Sequence, residues 1–219
     1  MNRFQHAILL LLPLATLVGY LLTGSFILRS ATTLLCLCIV LFVGLRRPPL
    51  PSVAFIALAF GLSFAGDYVL GHWGGGFAGF VSGVGLFFLA HLGYVAYSLR
   101  QGRLCWWLFF LLLMMFGAYF ILLLRPAIVD DITRYAVLAY ILVSCLSLAA
   151  AAGLHLPNRF ARILFIAGIA SLLFSDLLIA QKRFLHDGTL YILMMPTYFA
   201  SQILVTAAII RLKPLYFIP

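Results

Sequence analysis

Long apolar runs, broken at near-regular intervals by a charge, a glycine or a proline, set the rhythm of this chain. Eight such runs can be counted, at about 6–22, 26–45, 51–70, 78–99, 104–124, 132–153, 160–181 and 190–211. Each holds roughly 17–22 residues, which at 1.5 Å rise per residue fits a hydrocarbon core about 30 Å thick. None alternates polar and apolar positions as a barrel strand does, and in lipid only helices or closed barrels satisfy their own backbone groups. The pattern predicts an all-α, polytopic integral membrane protein: eight transmembrane helices in a single domain, 1–219. The connections are short, so consecutive helices are expected to be antiparallel neighbours. The first run continues too far for a signal peptide, contains Pro13 and lacks a small-x-small cleavage site, so it is expected to be a retained helix.

Composition agrees with a lipid solvent. Apolar residues make up 65% of the 219 positions and charged residues 9%, with a mean hydropathy of +1.18, against roughly 25% charged in an ordinary globular chain. The net charge of +9 does not form a phosphate-tracking patch, because the basic residues stand singly or in pairs at the ends of apolar runs. Nucleic acid is therefore not an expected partner; membrane lipids are. Nine basic residues (Arg3, Arg46, Arg47, Arg100, Arg103, Arg159, Arg162, Arg211 and Lys213) fall on the side of the termini, and five (Arg29, Arg125, Arg134, Lys182 and Arg183) on the other. The positive-inside bias places both termini in the cytoplasm. Cys36, Cys38, Cys105 and Cys145 all lie in apolar spans without metal-site or disulfide spacing.

Against this background the acids stand out. The chain has five, all aspartates, and Asp67 and Asp176 sit inside apolar spans while Asp130, Asp131 and Asp187 fall in connections. A carboxylate at mid-helix costs about 2.5–3.5 kcal/mol on insertion scales, so intramembrane acids generally mark a site. Each lies 16 residues into its span, at about 24 Å from the cytoplasmic end and hence at one depth on parallel helices. The third span reads Phe64-Ala-Gly-Asp67-Tyr-Val-Leu70 and the seventh Phe174-Ser-Asp176-Leu-Leu-Ile179. His91 follows Asp67 by 24 residues and Gln202 follows Asp176 by 26, each on the next span. This echo suggests a four-plus-four parallel repeat, an arrangement that builds sites where the halves meet.

Two carboxyls facing one low-dielectric cavity suit acid–base chemistry: one stays protonated and donates, the other steadies a cation or activates water. Neither a metal nor a cofactor is called for. Asp67, His91 and Asp176 would also make a minimal zinc trio, which needs at least three convergent ligands. Around the acids, Ser63 lies one turn before Asp67 and is placed to hydrogen-bond to it, and Ser171 and Ser175 share a face near Asp176. Tyr198, Gln202 and Thr206 form a polar stripe at i, i+4, i+8, and His91 and Tyr94 share a face of the fourth helix. A hydrogen bond between helices accounts for His91 as well as a site role does. Tyr140, Ser144 and Ser147 read as a packing stripe. Lys182 and Arg183, with His186 just beyond, emerge above Asp176, where they would hold a lipid phosphate; snorkelling explains them equally. Gly71-His-Trp-Gly-Gly-Gly76 reads as a flexible entrance loop rather than a P-loop.

Four short motifs in order, Gly66-Asp67-Tyr-Val-Leu70, Ala90-His91-Leu-Gly-Tyr94, Ser175-Asp176-Leu-Leu-Ile-Ala180 and Tyr198-Phe-Ala-Ser-Gln202, make the chain resemble the YhhN family of membrane proteins. Animal members of that family include lysoplasmalogenase. The resemblance implies hydrolysis of the vinyl-ether bond of a lysophospholipid, releasing a fatty aldehyde and a glycerophospho-base. It also implies Asp67 and Asp176 as the functional pair, and a bacterial inner (plasma) membrane as the location. The rival reading is a lipid or proton-coupled transporter with the same aspartates as a relay; a third is a structural or lipid-sensing membrane protein.

Overall fold

A computed structural model describes residues 3–46, 52–73 and 76–212, with side chains from residue 8 onward except at Arg46. Among these residues there are eight principal helices and no strands. They are α1 (Arg3–Thr23), α2 (Phe26–Arg46), α3 (Val53–Trp73), α4 (Phe77–Gln101), α5 (Trp106–Ala127), α6 (Asp131–Ala152), α7 (Arg159–Phe184) and α8 (Met194–Ile210). Seven of the helices are long and apolar enough to cross a membrane, and the described part of the first, Ile8–Thr23, is a shorter apolar segment. Their outer faces carry large exposed apolar side chains, among them Leu22, Ile27, Trp107, Met114 and Ile192. In water such a surface would aggregate; facing lipid it needs no cover.

The ends follow local chemistry. Asp130 accepts a hydrogen bond from the Thr133 amide at the start of α6, and Asn158 accepts from the Phe160 and Ala161 amides at the start of α7. Helix α3 continues through Gly71, His72 and Trp73 rather than ending in a loop, while Gly74 and Gly75 lie outside the described residues. Helix α7 runs on to Phe184, so Lys182 and Arg183 occupy its last turn. At the other end of the bundle, the α4–α5 and α6–α7 connections are tied by backbone hydrogen bonds from Arg103 to Gly153 and from His155 to Gln101.

Packing divides the bundle into two matching quartets. Helices α1 to α4 pack as α1 on α2, α2 on α3 and α3 on α4, with α4 reaching across to α6. Helices α5 to α8 repeat this as α5 on α6, α6 on α7 and α7 on α8, with α8 reaching across to α2. The tightest pairs are α3 with α4 and α7 with α8. Small residues permit both: a β-carbon at Gly93 would come within 2.8 Å of the Phe55 carbonyl of α3, and one at Gly168 within 3.0 Å of the Ser201 carbonyl of α8. Between the quartets lies a core of Cys36, Ile56, Phe60, Tyr97, Phe165 and Phe199, with Tyr97 stacked on Phe165 at 5.1 Å.

Candidate active site

Asp67 is buried near the end of α3, and every partner it has comes from another helix. Arg29 of α2 donates from Nη2 to Oδ1 at 2.9 Å, Tyr198 of α8 donates its hydroxyl to Oδ2 at 2.8 Å, and Thr33 of α2 donates more weakly to Oδ2 at 3.5 Å. The ion pair is enclosed, with side-chain exposures of 15% for Arg29 and 3% for Asp67. Neither charge is tolerable there alone; breaking a buried pair by removing one partner costs about 3–5 kcal/mol.

Asp176 stands at the equivalent place on α7 in different company. His91 of α4 lies with Nε2 3.1 Å from its Oδ2, and the Tyr140 phenol of α6 is within reach of the same carboxyl. The His91 ring is buried, rests edge-on against Tyr140 at 5.5 Å, and leaves Nδ1 without a partner. Each acid also takes a partner from across the midline: Tyr198 on α8 of the second quartet serves the acid of the first, and His91 on α4 of the first serves the acid of the second.

Both carboxyls line one chamber of about 410 Å³. Its rim carries Lys182 and Arg183 from the end of α7 and His186 just beyond it, with Arg29 on the α2 side. Lys182 lies over the Tyr191 ring at 3.4 Å and Arg183 over the Phe80 ring at 4.8 Å. Three fixed cations against two carboxyls give the chamber a bias toward an anionic group. Through the wall formed by Leu70, Phe80, Phe87, Asp176 and Ile179 it adjoins a second, narrower space of about 80 Å³ lined almost wholly by apolar side chains. Asp176 sits on the boundary, between a polar room and an apolar one.

The profile of the YhhN family matches residues 25–209, a span that takes in every residue lining the chamber. The chain belongs to the YhhN family. No curated protein and no solved structure matches it.

Within this YhhN protein the other residues singled out from the sequence divide into two groups. Tyr198, Ser175, Lys182 and Arg183 line the chamber, although the Ser175 hydroxyl is committed to the Met194 carbonyl at 3.0 Å and, with Ser171 on the Thr197 carbonyl at 2.8 Å, fastens α7 to the start of α8. His91, Tyr94, Gln202 and Ser63 are buried behind the wall and do not line it. Ser63 does not bond to Asp67 as its spacing suggested; it faces Tyr94 across the α3–α4 contact. Gln202 sits one turn beyond Tyr198, outside the chamber lining, with both amide atoms unpartnered. The two aspartates do not pair with each other; each is matched by a residue of the opposite quartet. Among the described residues no three His, Cys, Asp or Glu side chains gather as metal ligands, so the Asp67, His91 and Asp176 trio does not form.

Three residues of the site carry little signal in the sequence: Arg29 reads as one of the flanking basic residues, Thr33 as an ordinary span residue, and Tyr140 as part of a packing stripe. The lone arginine three residues inside an apolar span was the usable signal. The remaining acids stay outside: hydrogen bonds from Thr133 hold Asp130, and bonds from Thr189 hold Asp187, below the ordinary carboxylate range, both at exposed turns.

Proposed function

We propose that this protein is a membrane-embedded, lysoplasmalogenase-like hydrolase that cleaves the vinyl-ether bond of a lysophospholipid. The observation that carries the reading is the placement of Asp176 between a cation-rimmed polar chamber and an apolar cleft, with Asp67 in the same chamber. An amphiphile with an anionic head and one greasy chain has its vinyl-ether link at that same boundary. Membership of the YhhN family supports the class of reaction.

The geometry favours a division of labour. Both oxygens of Asp67 are occupied by Arg29, Tyr198 and Thr33, which leaves it a fixed charge rather than a proton donor. Asp176 is the more accessible of the two, at 12% against 3%, and is the group that delivers the proton. In this scheme protonated Asp176 transfers its proton to the alkenyl carbon distal to the ether oxygen, producing an oxocarbenium ion. The resulting carboxylate and Asp67 stabilise that cation, water adds to it, and its proton returns to Asp176. The hemiacetal then collapses to a fatty aldehyde and the glycerophospho-base alcohol. The termini are assigned to the cytoplasm from the charge bias, so substrate would reach the chamber from the opposite leaflet.

The test is aldehyde release from lysoplasmalogen by the purified protein in detergent, alongside Asp67→Asn and Asp176→Asn. Release by wild type and a loss of at least about 100-fold in the Asp176 variant are expected. Near-normal hydrolysis in either Asn variant would remove the two-carboxyl mechanism. No turnover, together with pH-dependent lipid movement in proteoliposomes, would favour the transporter.

A further inference from the structure

A hydrolase reading leaves open where the substrate's hydrocarbon goes, and α5 is built to answer that. Only 17% of its span is buried, against 33–56% for the other six long spans, and its one extensive helix contact among the described residues is with α6. Near its end the α-helical pattern loosens into a π-helical turn, Phe120–Leu124, in which the Arg125 amide donates to the Phe120 carbonyl. Pro126 accounts for it: the ring lacks an amide hydrogen and would collide with the carbonyl one turn back. Such π turns recur at functional sites.

Beneath α5 runs the apolar cleft. Phe116, Tyr119 and Leu124 roof it, Val84 and Ile141 form its sides, and Leu173 marks its depth on α7. From Phe184 to Leu173 it follows twelve residues of α7, about 16 Å. Its only charged lining group is Asp176, and five residues are common to the cleft and the chamber. We propose that this cleft is the binding site for one hydrocarbon chain of an amphiphile whose head group occupies the chamber, with the loosely held α5 as the side through which the chain passes from the bilayer. The inference rests on the hydrolase reading for the identity of the head group, but not for the chain. The cleft, about 80 Å³ against 410 Å³ in the chamber, has no room for two chains side by side, and seating even one requires the loosely held α5 to give way. Selectivity for lyso-lipids would then come from the tail site.

The experiment uses the full chain in nanodiscs and an ether-linked lysophosphatidylcholine carrying a diazirine midway along its chain, a probe that this chemistry does not cleave. Irradiation is expected to label α5 between Phe116 and Leu124 and α6 between Val137 and Ser144, with unlabelled lysophosphatidylcholine competing. Ile141→Trp and the milder Val84→Phe should each reduce that label about tenfold or more, whereas Leu34→Trp on the lipid-facing side of α2 should not. Label confined to exposed positions such as Leu11 and Leu22, or cleft label unaffected by both filling variants, would overturn the assignment. Equal cleft labelling by a diacyl probe would overturn the single-chain limit. Cleft label without aldehyde release from lysoplasmalogen keeps the chain site and removes the hydrolase; aldehyde release with label elsewhere does the reverse.

Discussion

Asp67 of α3 and Asp176 of α7 occupy corresponding places in the two quartets, yet α2 brings a guanidinium to the first while α6 brings a phenol to the second. The first acid is pinned by an ion pair and two hydroxyls; the second meets a histidine and a tyrosine and borders open space. An ion pair in a dry setting is energetically all-or-nothing, since either charge left alone is costly. Hydrogen bonds between membrane helices are far weaker, averaging about 0.6 kcal/mol and reaching about 1.7. In the proposed scheme one half therefore holds a fixed charge and the other the proton donor. Two quartets can share a packing order while the acids at corresponding places have different partners.

The sharpest way to break this comparison is to remove Arg29. Arg29→Gln is expected to destabilise the protein by about 3–5 kcal/mol, read as a large fall in melting temperature in detergent, and to abolish turnover. Replacing both partners, Arg29→Leu with Asp67→Leu, removes the lone charge and should restore most of the stability without restoring activity. If the double variant melts as low as Arg29→Gln, the pair is not what holds α2 to α3, and the contrast between the halves loses its energetic basis.

His91 provides the opposite profile. His91→Leu removes a hydrogen bond worth about 1 kcal/mol, so its melting temperature should move by only a few degrees. Turnover should fall by about 100-fold if the imidazole orients the carboxyl to which the proposed mechanism gives the proton transfer. The readout that separates positioning from packing is the split of the kinetic constants: kcat should drop with KM nearly constant, and His91→Gln, which keeps a donor near Asp176, should recover part of the rate. A collapse in stability comparable to that of Arg29→Gln would make the two halves alike.

What the sequence disclosed and what it hid follow one physical rule. Eight helices were legible because lipid forces each span to satisfy its own backbone, so length and hydropathy alone decide the element. Asp67 and Asp176 were legible for the same reason: a carboxylate in a span has no cheap explanation. Partners were not, since which side chain meets which depends on helix rotation and crossing. Arg29 near a span end looks like any snorkelling residue until α3 is packed beside it. Gln202 and Ser63 share a helix face with residues of the site but not its cavity, because only the end of each helix nearest Lys182 and Arg183 reaches the chamber. Helix α3 ran past Gly71 into Trp73 because packing outweighs the roughly 1 kcal/mol by which glycine disfavours a helix.

Tyr140 gives the smallest and most discriminating effect. It occupies on α6 the role that Arg29 has on α2, a group brought to the acid by the preceding helix, but it is neutral and its ring also lines the apolar cleft. Tyr140→Phe keeps the ring against His91 and deletes only the hydroxyl near Asp176. Stability should change by less than about 1 kcal/mol, the scale of one membrane hydrogen bond, and kcat should fall by no more than about tenfold, which corresponds to 1.4 kcal/mol of transition-state stabilisation. The informative quantity is the pH profile of kcat, where loss of a hydroxyl bonded to Asp176 should move the limb governed by that carboxyl. The Arg29→Leu/Asp67→Leu pair cannot serve as the comparison because it lacks turnover, so the control is Tyr119→Phe, whose hydroxyl has no partner and whose profile should stay where wild type has it. An unmoved limb in Tyr140→Phe would assign Tyr140 to the wall of the cleft alone, leaving His91 as the single side chain that tunes the second acid.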